Sequence, residues 1–178
     1  MITACSASVD HEQKNPDPTG WRMSGGGWEE FRKQGDATVL HEGRPTARLA
    51  PRADSSVGYG TWMNSLYPFP YSNKRIRISI YTRTAGATRR ADFWARVQGK
   101  GSPGDGYGLA GKFVRLPATS DWQRHEIVMD VPGDAQWVQY GIGIAGPGMM
   151  WMDQAKIEVV DESVPLTAGL RSTLTAGK

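Results

Sequence analysis

Side chains that could move protons are spread along this 178-residue sequence without the spacing of a known catalytic motif. Carboxylates and imidazoles serve as general bases, phenols donate protons, and guanidinium groups stabilise a developing enolate oxygen. The candidates are Asp153 or His125 as base, Tyr81 or Tyr107 as donor, and Arg96 or Arg83 as stabilising cation. Such a set suits ring closure by dehydration or conjugate addition, where positioning alone contributes about 7 to 11 kcal/mol. The predicted catalytic set is Asp153, His125, Arg96 and Tyr81.

Aromatic and polar side chains form a second candidate set, for binding. The chain has 7 tryptophans, and an indole either stacks on the C–H groups of a sugar ring or fills a core. Most should be buried, with a few facing a ligand. Three methionines next to Trp151 suit either a greasy ligand or a filled core. The predicted ligand-binding residues are Trp62, Asn64, Arg83, Trp94, Gln98, Tyr107 and Trp151.

Motifs for cofactors and metals are weak. Gly141, Gly143 and Gly146 fit GxGxxG, but Pro147 follows and no helical pattern does, which favours sheet packing and a turn over a dinucleotide site. The three histidines are scattered, and the single cysteine, Cys5, cannot form an internal disulfide. We expect no cofactor, although loop carboxylates and carbonyls in such a chain are candidates for a structural calcium.

Short strands must position these residues. The chain has 22 Gly and 11 Pro, with turn signals such as YPFP and VPGDA, and no helical stripe lasts three turns. Strands are predicted at 21–32, 37–41, 45–50, 58–66, 74–84, 91–98, 112–116, 123–130, 136–144 and 149–160. This spacing predicts an all-β, single-domain jelly-roll β-sandwich of two antiparallel sheets. We expect a flexible N-terminal arm at 1–20, the sandwich at 21–160 and a C-terminal tail at 161–178.

Alternation within the strands predicts which side chains share a face. In residues 74–84 the isoleucines form a core face opposite arginines and Tyr81, and in residues 91–98 Trp94, Arg96 and Gln98 project together. We expect one concave sheet to gather Trp62, Asn64, Tyr81, Arg83, Trp94, Arg96, Gln98, Trp151 and Asp153.

Charge and terminal features restrict partners and location. The formal net charge is +3, so no polyanion partner is required, and the basic stretch from Lys74 to Arg90 fits a solvated strand face better than a phosphate-binding stripe. We expect a small-molecule ligand or substrate, no nucleic acid, no membrane span, and a monomer or homodimer. The lone cysteine fits a reducing cytoplasm. Residues 2–5 also resemble a lipoprotein cleavage site, and the alternative is a cell-envelope lipoprotein with a signal peptide trimmed before Cys5.

A family resemblance is carried by five segments in matching order, GYGTWMNSL (58–66), NKRIRISIYTRT (73–84), ADFWARVQG (91–99), SDWQRHEIVMDVPGDA (120–135) and YGIGIAGPGMMWMDQAKIEVV (140–160). The chain resembles the carbohydrate-binding-module-like jelly-roll domains of bacteria, which are often appended to transcriptional regulators or enzymes. The resemblance implies a concave ligand surface on one sheet, and related scaffolds also serve as natural-product cyclases. Asn64, Gln98 and Gln154 depart from the family pattern, so its sugar-binding residues do not transfer directly.

Two functions follow. The first is a cofactor-independent cyclase or lyase acting on a largely apolar natural-product intermediate. The alternative is a non-catalytic carbohydrate-binding module. Alanine at Arg96 or Asp153 should abolish turnover in the first, and only glycan affinity should fall in the second.

Overall fold

A computed structural model describes residues 20–99 and 111–168 of the chain. Ten strands make up most of this part: β1 Arg22–Ser24, β2 Phe31–His41, β3 Arg44–Pro51, β4 Tyr59–Leu66, β5 Lys74–Ala85, β6 Arg90–Gly99, β7 Lys112–Arg115, β8 Ser120–Val131, β9 Ala135–Ala145 and β10 Met149–Val160. Two single 3-10 turns occur, at Trp28–Glu30 and Phe69–Tyr71. Strands therefore begin and end close to the turn residues that the sequence marks.

The strands form two five-stranded antiparallel sheets. The order in the first, here called the front sheet, is β1-β4-β9-β6-β7, and the order in the second, the back sheet, is β2-β3-β10-β5-β8. Neighbouring strands in each sheet come from distant parts of the chain, as in a Greek-key sandwich. The predicted jelly-roll β-sandwich is confirmed.

The core lies between the sheets and follows the predicted alternation. Ile76, Ile78 and Ile80 of β5 are fully buried from the back sheet, and Phe93 and Ile142 are fully buried from the front sheet. Burying each such side chain stabilises the fold by about 1.5–3 kcal/mol. Two of the three clustered methionines, at positions 150 and 152, are also fully buried, so the core-filling interpretation applies to them.

The predicted first strand at 21–32 is wrong. The chain forms β1, turns, and begins the much longer β2 at Phe31. Gly25 and Gly27 lie at φ 107° and 87°, a left-handed region that favours glycine. A Cβ at Gly25 would lie 2.3 Å from the carbonyl oxygen of Tyr59. The positive φ angles and the close backbone contact at these glycines interrupt the strand, despite the strand propensity of the residues around them.

The first residues of the predicted C-terminal tail bond to the back sheet. The N–H of Thr167 donates to the carbonyl of Val128 at 3.0 Å, and the Thr167 hydroxyl accepts from the N–H of Val128 at 2.8 Å. Arg75 donates to the carbonyl of Val164 at 2.8 Å. Residues 1–19 and 169–178 lie outside the described residues, so the boundaries at 20 and 160 stay predictions.

Candidate functional site

Side chains that point outward from the front sheet are the first candidate surface, here called the front face. Strand pairing fixes its rows, because residues opposite each other on neighbouring strands share a face. Tyr59 and Arg90 both lie opposite Ala145, for example, and Ser65 and Arg96 both lie opposite Gln139. The front face contains Arg22, Ser24, Tyr59, Thr61, Met63, Ser65, Arg90, Asp92, Trp94, Arg96, Gln98, Phe113, Arg115, Trp137, Gln139, Gly141 and Gly143.

Two aromatic rings reach across the central strand of this sheet, β9. The Tyr59 hydroxyl donates to Asp92 Oδ1 at 2.8 Å, and Trp94 Nε1 donates to the Thr61 hydroxyl at 2.8 Å. A Cβ at Gly143 would lie 1.9 Å from the Tyr59 hydroxyl. Gly141 and Gly143 of the GxGxxG stretch therefore serve sheet packing, and Gly146 lies in the following turn at φ 72°, as the sequence predicts.

Arginine and carboxylate groups complete this half of the front face. Asp92 is 1% exposed and forms an ion pair with Arg90 in addition to the bond from Tyr59. The Arg90 guanidinium lies 4.9 Å from the centre of the Tyr59 ring and 5.6 Å from that of Phe113, at cation–π distance. The polar groups here are satisfied by one another.

The other half of the front face, here called the open half, is only partly buried, because Ser65, Arg96, Gln98 and Trp137 are half-buried. Arg96 Nε donates to Gln139 Oε1 at 2.6 Å, and Gln139 Nε2 donates to the Ser65 hydroxyl at 2.9 Å. The Arg96 guanidinium lies 5.6 Å from the Trp94 ring centre. Gln98, half-buried in the next row, makes no side-chain hydrogen bond to the described part of the chain.

An aromatic pair borders this open half. Trp137 lies opposite Gln98, and its ring centre is 4.7 Å from that of Tyr67, which is 73% exposed. We call Tyr67, Ser65, Arg96, Gln98 and Trp137 the open end. An aromatic surface beside amide, hydroxyl and guanidinium groups can hold a ligand with both apolar and hydroxyl-bearing faces. Tyr67 and Trp137 are not among the predicted binding residues, although the YPFP turn and the alternation of β9 place both.

The predicted site residues do not share one surface. Trp94, Arg96 and Gln98 lie on the front face as expected. Trp62 is fully buried between the sheets, and Asn64 donates to the hydroxyl of Tyr140 at 3.4 Å on the same inner side. Their side chains face inward because the outward positions of β4 are those of Thr61, Met63 and Ser65, the opposite parity.

Burial on this inner side shifts the pKa of the Tyr140 phenol. It raises the pKa of Tyr140 to about 12, with the bond from Asn64 acting in the opposite direction. The phenol therefore stays neutral and belongs to the core.

Four other predicted residues lie on the outer side of the back sheet, here called the back face. Tyr81, Arg83, Trp151 and Asp153 occupy neighbouring positions of β5 and β10 there. Because the two faces are the outer sides of two packed sheets, these side chains and those of the front face point in opposite directions. The sheets themselves lie about 10 Å apart. The prediction of a single concave surface for the whole set is wrong.

His41 packs on the back face against Asp153, Tyr81 and Trp122. Its Nδ1 lies 2.8 Å from Asp153 Oδ2, and its ring centre is 4.6 Å from each of the Tyr81 and Trp122 rings. Both His41 and Asp153 are buried. His41 lies 112 residues before Asp153, so no sequence spacing indicates the pair. The carboxylate of Asp153 thus already has a hydrogen-bond partner within the fold.

Asp36 forms a second buried cluster on the back face. Trp151 Nε1 donates to Asp36 Oδ2 at 2.9 Å, and Arg48 lies 3.4 Å from the same oxygen. Burial alone would raise the pKa of this carboxyl, but hydrogen bonds from Thr38, Trp151 and Val39 outweigh it and hold the pKa well below the usual range. Trp151 therefore already has its hydrogen-bond partner.

Carboxylates also accompany the basic stretch from Lys74 to Arg90. Nitrogen–oxygen distances are 2.8 Å for Arg75 and Asp130, 3.5 Å for Arg77 and Glu126, 3.7 Å for Arg77 and Glu158, and 3.7 Å for Arg83 and Asp121. Arg90 pairs with Asp92, as described above. The outward-facing arginines of β5 are thus paired with acidic residues on the neighbouring strands β8 and β10.

One predicted residue, His125, lies on neither outer face. His125 stands opposite Ile80 on the inner side of β8, and burial lowers the pKa of its imidazole. Its Nε2 makes no hydrogen bond to the described residues. Tyr107, like Cys5, lies outside the described residues. Within residues 20–99 and 111–168 no three His, Cys, Asp or Glu side chains gather as a metal site would require.

Comparison with known proteins gives one relative in sequence and many in fold. No family model matches the chain. An HTH-type transcriptional regulator of Bacillus subtilis (strain 168), YbfP, itself described as uncharacterized, is 32% identical over 151 residues, which are 83% of this chain and 50% of that protein. The chain thus spans half the length of this relative. No helix among the described residues is long and apolar enough to cross a bilayer.

Solved structures with the same fold include carbohydrate-binding modules. The C-terminal family 22 module of Clostridium thermocellum Xyn10B superposes with a TM-score of 0.60 at 11% identity, covering 87% of this chain and 94% of that one. The CBM22-1 xylan-binding domain of Paenibacillus barcinonensis Xyn10C gives 0.57 at 15% identity, covering 86% and 94%. At these identities the likeness concerns the fold, and the chain has a carbohydrate-binding-module-like jelly-roll fold.

Proposed function

We propose that this chain is a non-catalytic carbohydrate-binding domain that holds its saccharide at the open end of the front face. The observation that carries the proposal is the Tyr67–Trp137 ring pair, 4.7 Å between centres, directly beside Gln98. Tyr67 is exposed and Trp137 is half-buried. Aromatic rings pack against the apolar C–H groups of a pyranose, while an amide supplies both donors and an acceptor for its hydroxyls.

A series of hydrogen bonds in the row next to Gln98 and Trp137 supports the same function. Gln139 is 5% exposed and bonds to both Arg96 and Ser65, which fixes the orientation of all three side chains. A binding site held in place before the ligand arrives loses less conformational entropy on binding. The fold shared with xylan-binding modules and the identity with part of a transcriptional regulator favour a sugar-binding domain within a regulatory protein.

The cyclase hypothesis receives less support from the geometry. It requires Asp153, Tyr81 and Arg96 to meet around one substrate, yet Asp153 and Tyr81 lie on the back face and Arg96 on the front face. A base within hydrogen-bond reach of the reacting atoms is the first condition of such catalysis.

The test is calorimetric titration of the chain with a panel of oligosaccharides. Trp137→Ala and Gln98→Ala should each weaken binding of the best ligand by about tenfold or more, equivalent to about 1.4 kcal/mol. Trp28→Ala, at the opposite end of the front sheet, and Gln123→Ala, an exposed glutamine of the back sheet, are matched controls and should bind normally. Absence of saccharide binding at millimolar concentrations, or equal losses in the controls, would overturn the proposal.

A further inference from the structure

Two arginines stand on the opposite edges of the front face. Arg22 belongs to the edge strand β1 and Arg115 to the edge strand β7, and both side chains are exposed. Within the described part of the chain neither guanidinium forms an ion pair or a side-chain hydrogen bond. Their charges are therefore available to a partner.

Strand register sets the separation of these two cations. Arg22 lies opposite Met63, and the same row continues through Gly141 and Trp94 to Phe113, while Arg115 stands one row away, opposite Asp92. Five strands with neighbours about 4.8 Å apart place the two backbones about 19 Å apart. One sugar ring cannot touch both, whereas an oligosaccharide lying across the strands can.

Acidic groups on the front face are already used. Among its described strand residues the carboxylate is that of Asp92, which is 1% exposed and bonded to Tyr59 and Arg90. Arg90 balances this charge, so Arg22 and Arg115 give the face an excess of positive charge. The outward arginines of β5 on the back face, by contrast, each have a carboxylate within 4.0 Å.

We infer that the ligand is an anionic oligosaccharide, one whose sugars carry carboxylate or sulfate groups; this inference rests on the proposed function. The planar guanidinium fork matches the two oxygens of a carboxylate or sulfate, and such charge-assisted bonds are stronger than those between neutral groups. Sugar rings stack at the open end, and acidic substituents farther along the oligosaccharide reach Arg22 and Arg115.

The test compares oligosaccharides that differ in charge. The chain is titrated with oligogalacturonate, with the same oligosaccharide after methyl esterification, and with a sulfated galactan oligosaccharide, at low and high salt. A duplex DNA of similar length is the fourth ligand. The variants are Arg22→Gln, Arg115→Gln and the double variant. Arg32→Gln is the control, because Arg32 is an exposed arginine of the back sheet that pairs with none of the described residues.

The free acid should bind at least about tenfold more tightly than its methyl ester at low salt, and salt should erase the difference. Each single variant should lower acid affinity about threefold to tenfold. The losses should add in the double variant, because distant sites act independently. The ester should bind all variants alike, Arg32→Gln should behave as wild type, and the ratio between sulfated and carboxylated ligands tells which anion is preferred.

Equal binding of acid and ester, or no effect of the double variant, would overturn this inference while leaving saccharide binding intact. Tighter binding of DNA with the same arginine dependence would also overturn it, in favour of a nucleic-acid surface. Failure of every saccharide to bind would overturn the proposed function as well.

Discussion

The front and back faces of this sandwich have similar ingredients and opposite arrangements. Each presents tryptophan, arginine and a buried carboxylate. On the back face Asp153 meets His41, and Asp36 meets Trp151. On the front face Tyr59, Arg90 and Asp92 bond to one another in one half. At the open end Gln98 has no side-chain partner in the described chain and Tyr67 is 73% exposed. Two faces of similar composition thus differ in whether their polar groups are satisfied within the fold.

Removing Asp36 should have the largest effect on stability. Asp36→Ala leaves the buried Trp151 N–H without its acceptor and Arg48 without its carboxylate, so we expect the free energy of unfolding to fall by about 2–4 kcal/mol. Urea denaturation measures this change. Saccharide affinity at native conditions should stay within about twofold, and a loss of affinity as large as that of Trp137→Ala would contradict the separation of the two faces.

Adding a methyl group at Gly143 should have the next largest effect, on the front face. The new Cβ would overlap the Tyr59 hydroxyl, and displacing that ring breaks its bond to Asp92, at a cost of about 1–3 kcal/mol. In a double-mutant cycle with Tyr59→Ala the methyl should cost much less, because its obstacle is gone. An unchanged cost in the absence of Tyr59 would mean that the ring does not lie over the strand.

Acid should weaken the back face through Asp36. Because its folded pKa lies below that of the unfolded chain, the stability it contributes is present above the ordinary aspartate pKa of about 3.9 and is lost as pH falls below it. The difference in unfolding free energy between wild type and Asp36→Asn should therefore be largest at neutral pH and shrink between about pH 5 and pH 2. A constant difference across this range would contradict the account of Asp36.

The smallest effect on stability should come from the open end itself. Gln98→Ala removes a half-buried amide that bonds to none of the described residues, so the unfolding free energy should change by less than about 0.5 kcal/mol. The same variant should lose saccharide affinity. A large loss of stability would show that Gln98 serves the fold.

Much of the fold could be predicted from alternation and turn residues. The isoleucines of β5 and the alternating residues of β9 face the core as their two-residue period requires. The alternation of side chains along β4 does not determine which side of the strand faces the core, because Trp62 suits a core as well as a ligand site. The His41–Asp153 pair depends on a hairpin, β2–β3, that places its end over the back face, and no local pattern encodes that contact. Faces of single strands were predictable, and the assembly of faces into surfaces was not.

Nuclear magnetic resonance of the tryptophan side chains tests the central claim most directly. The indole N–H signals of Trp94 and Trp137 report on the front face, and those of Trp122 and Trp151 on the back face. Titration with a bound oligosaccharide should shift the Trp137 signal most and leave the Trp122 and Trp151 signals in place. Shifts confined to Trp122 and Trp151 would move the binding site to the back face and contradict the account.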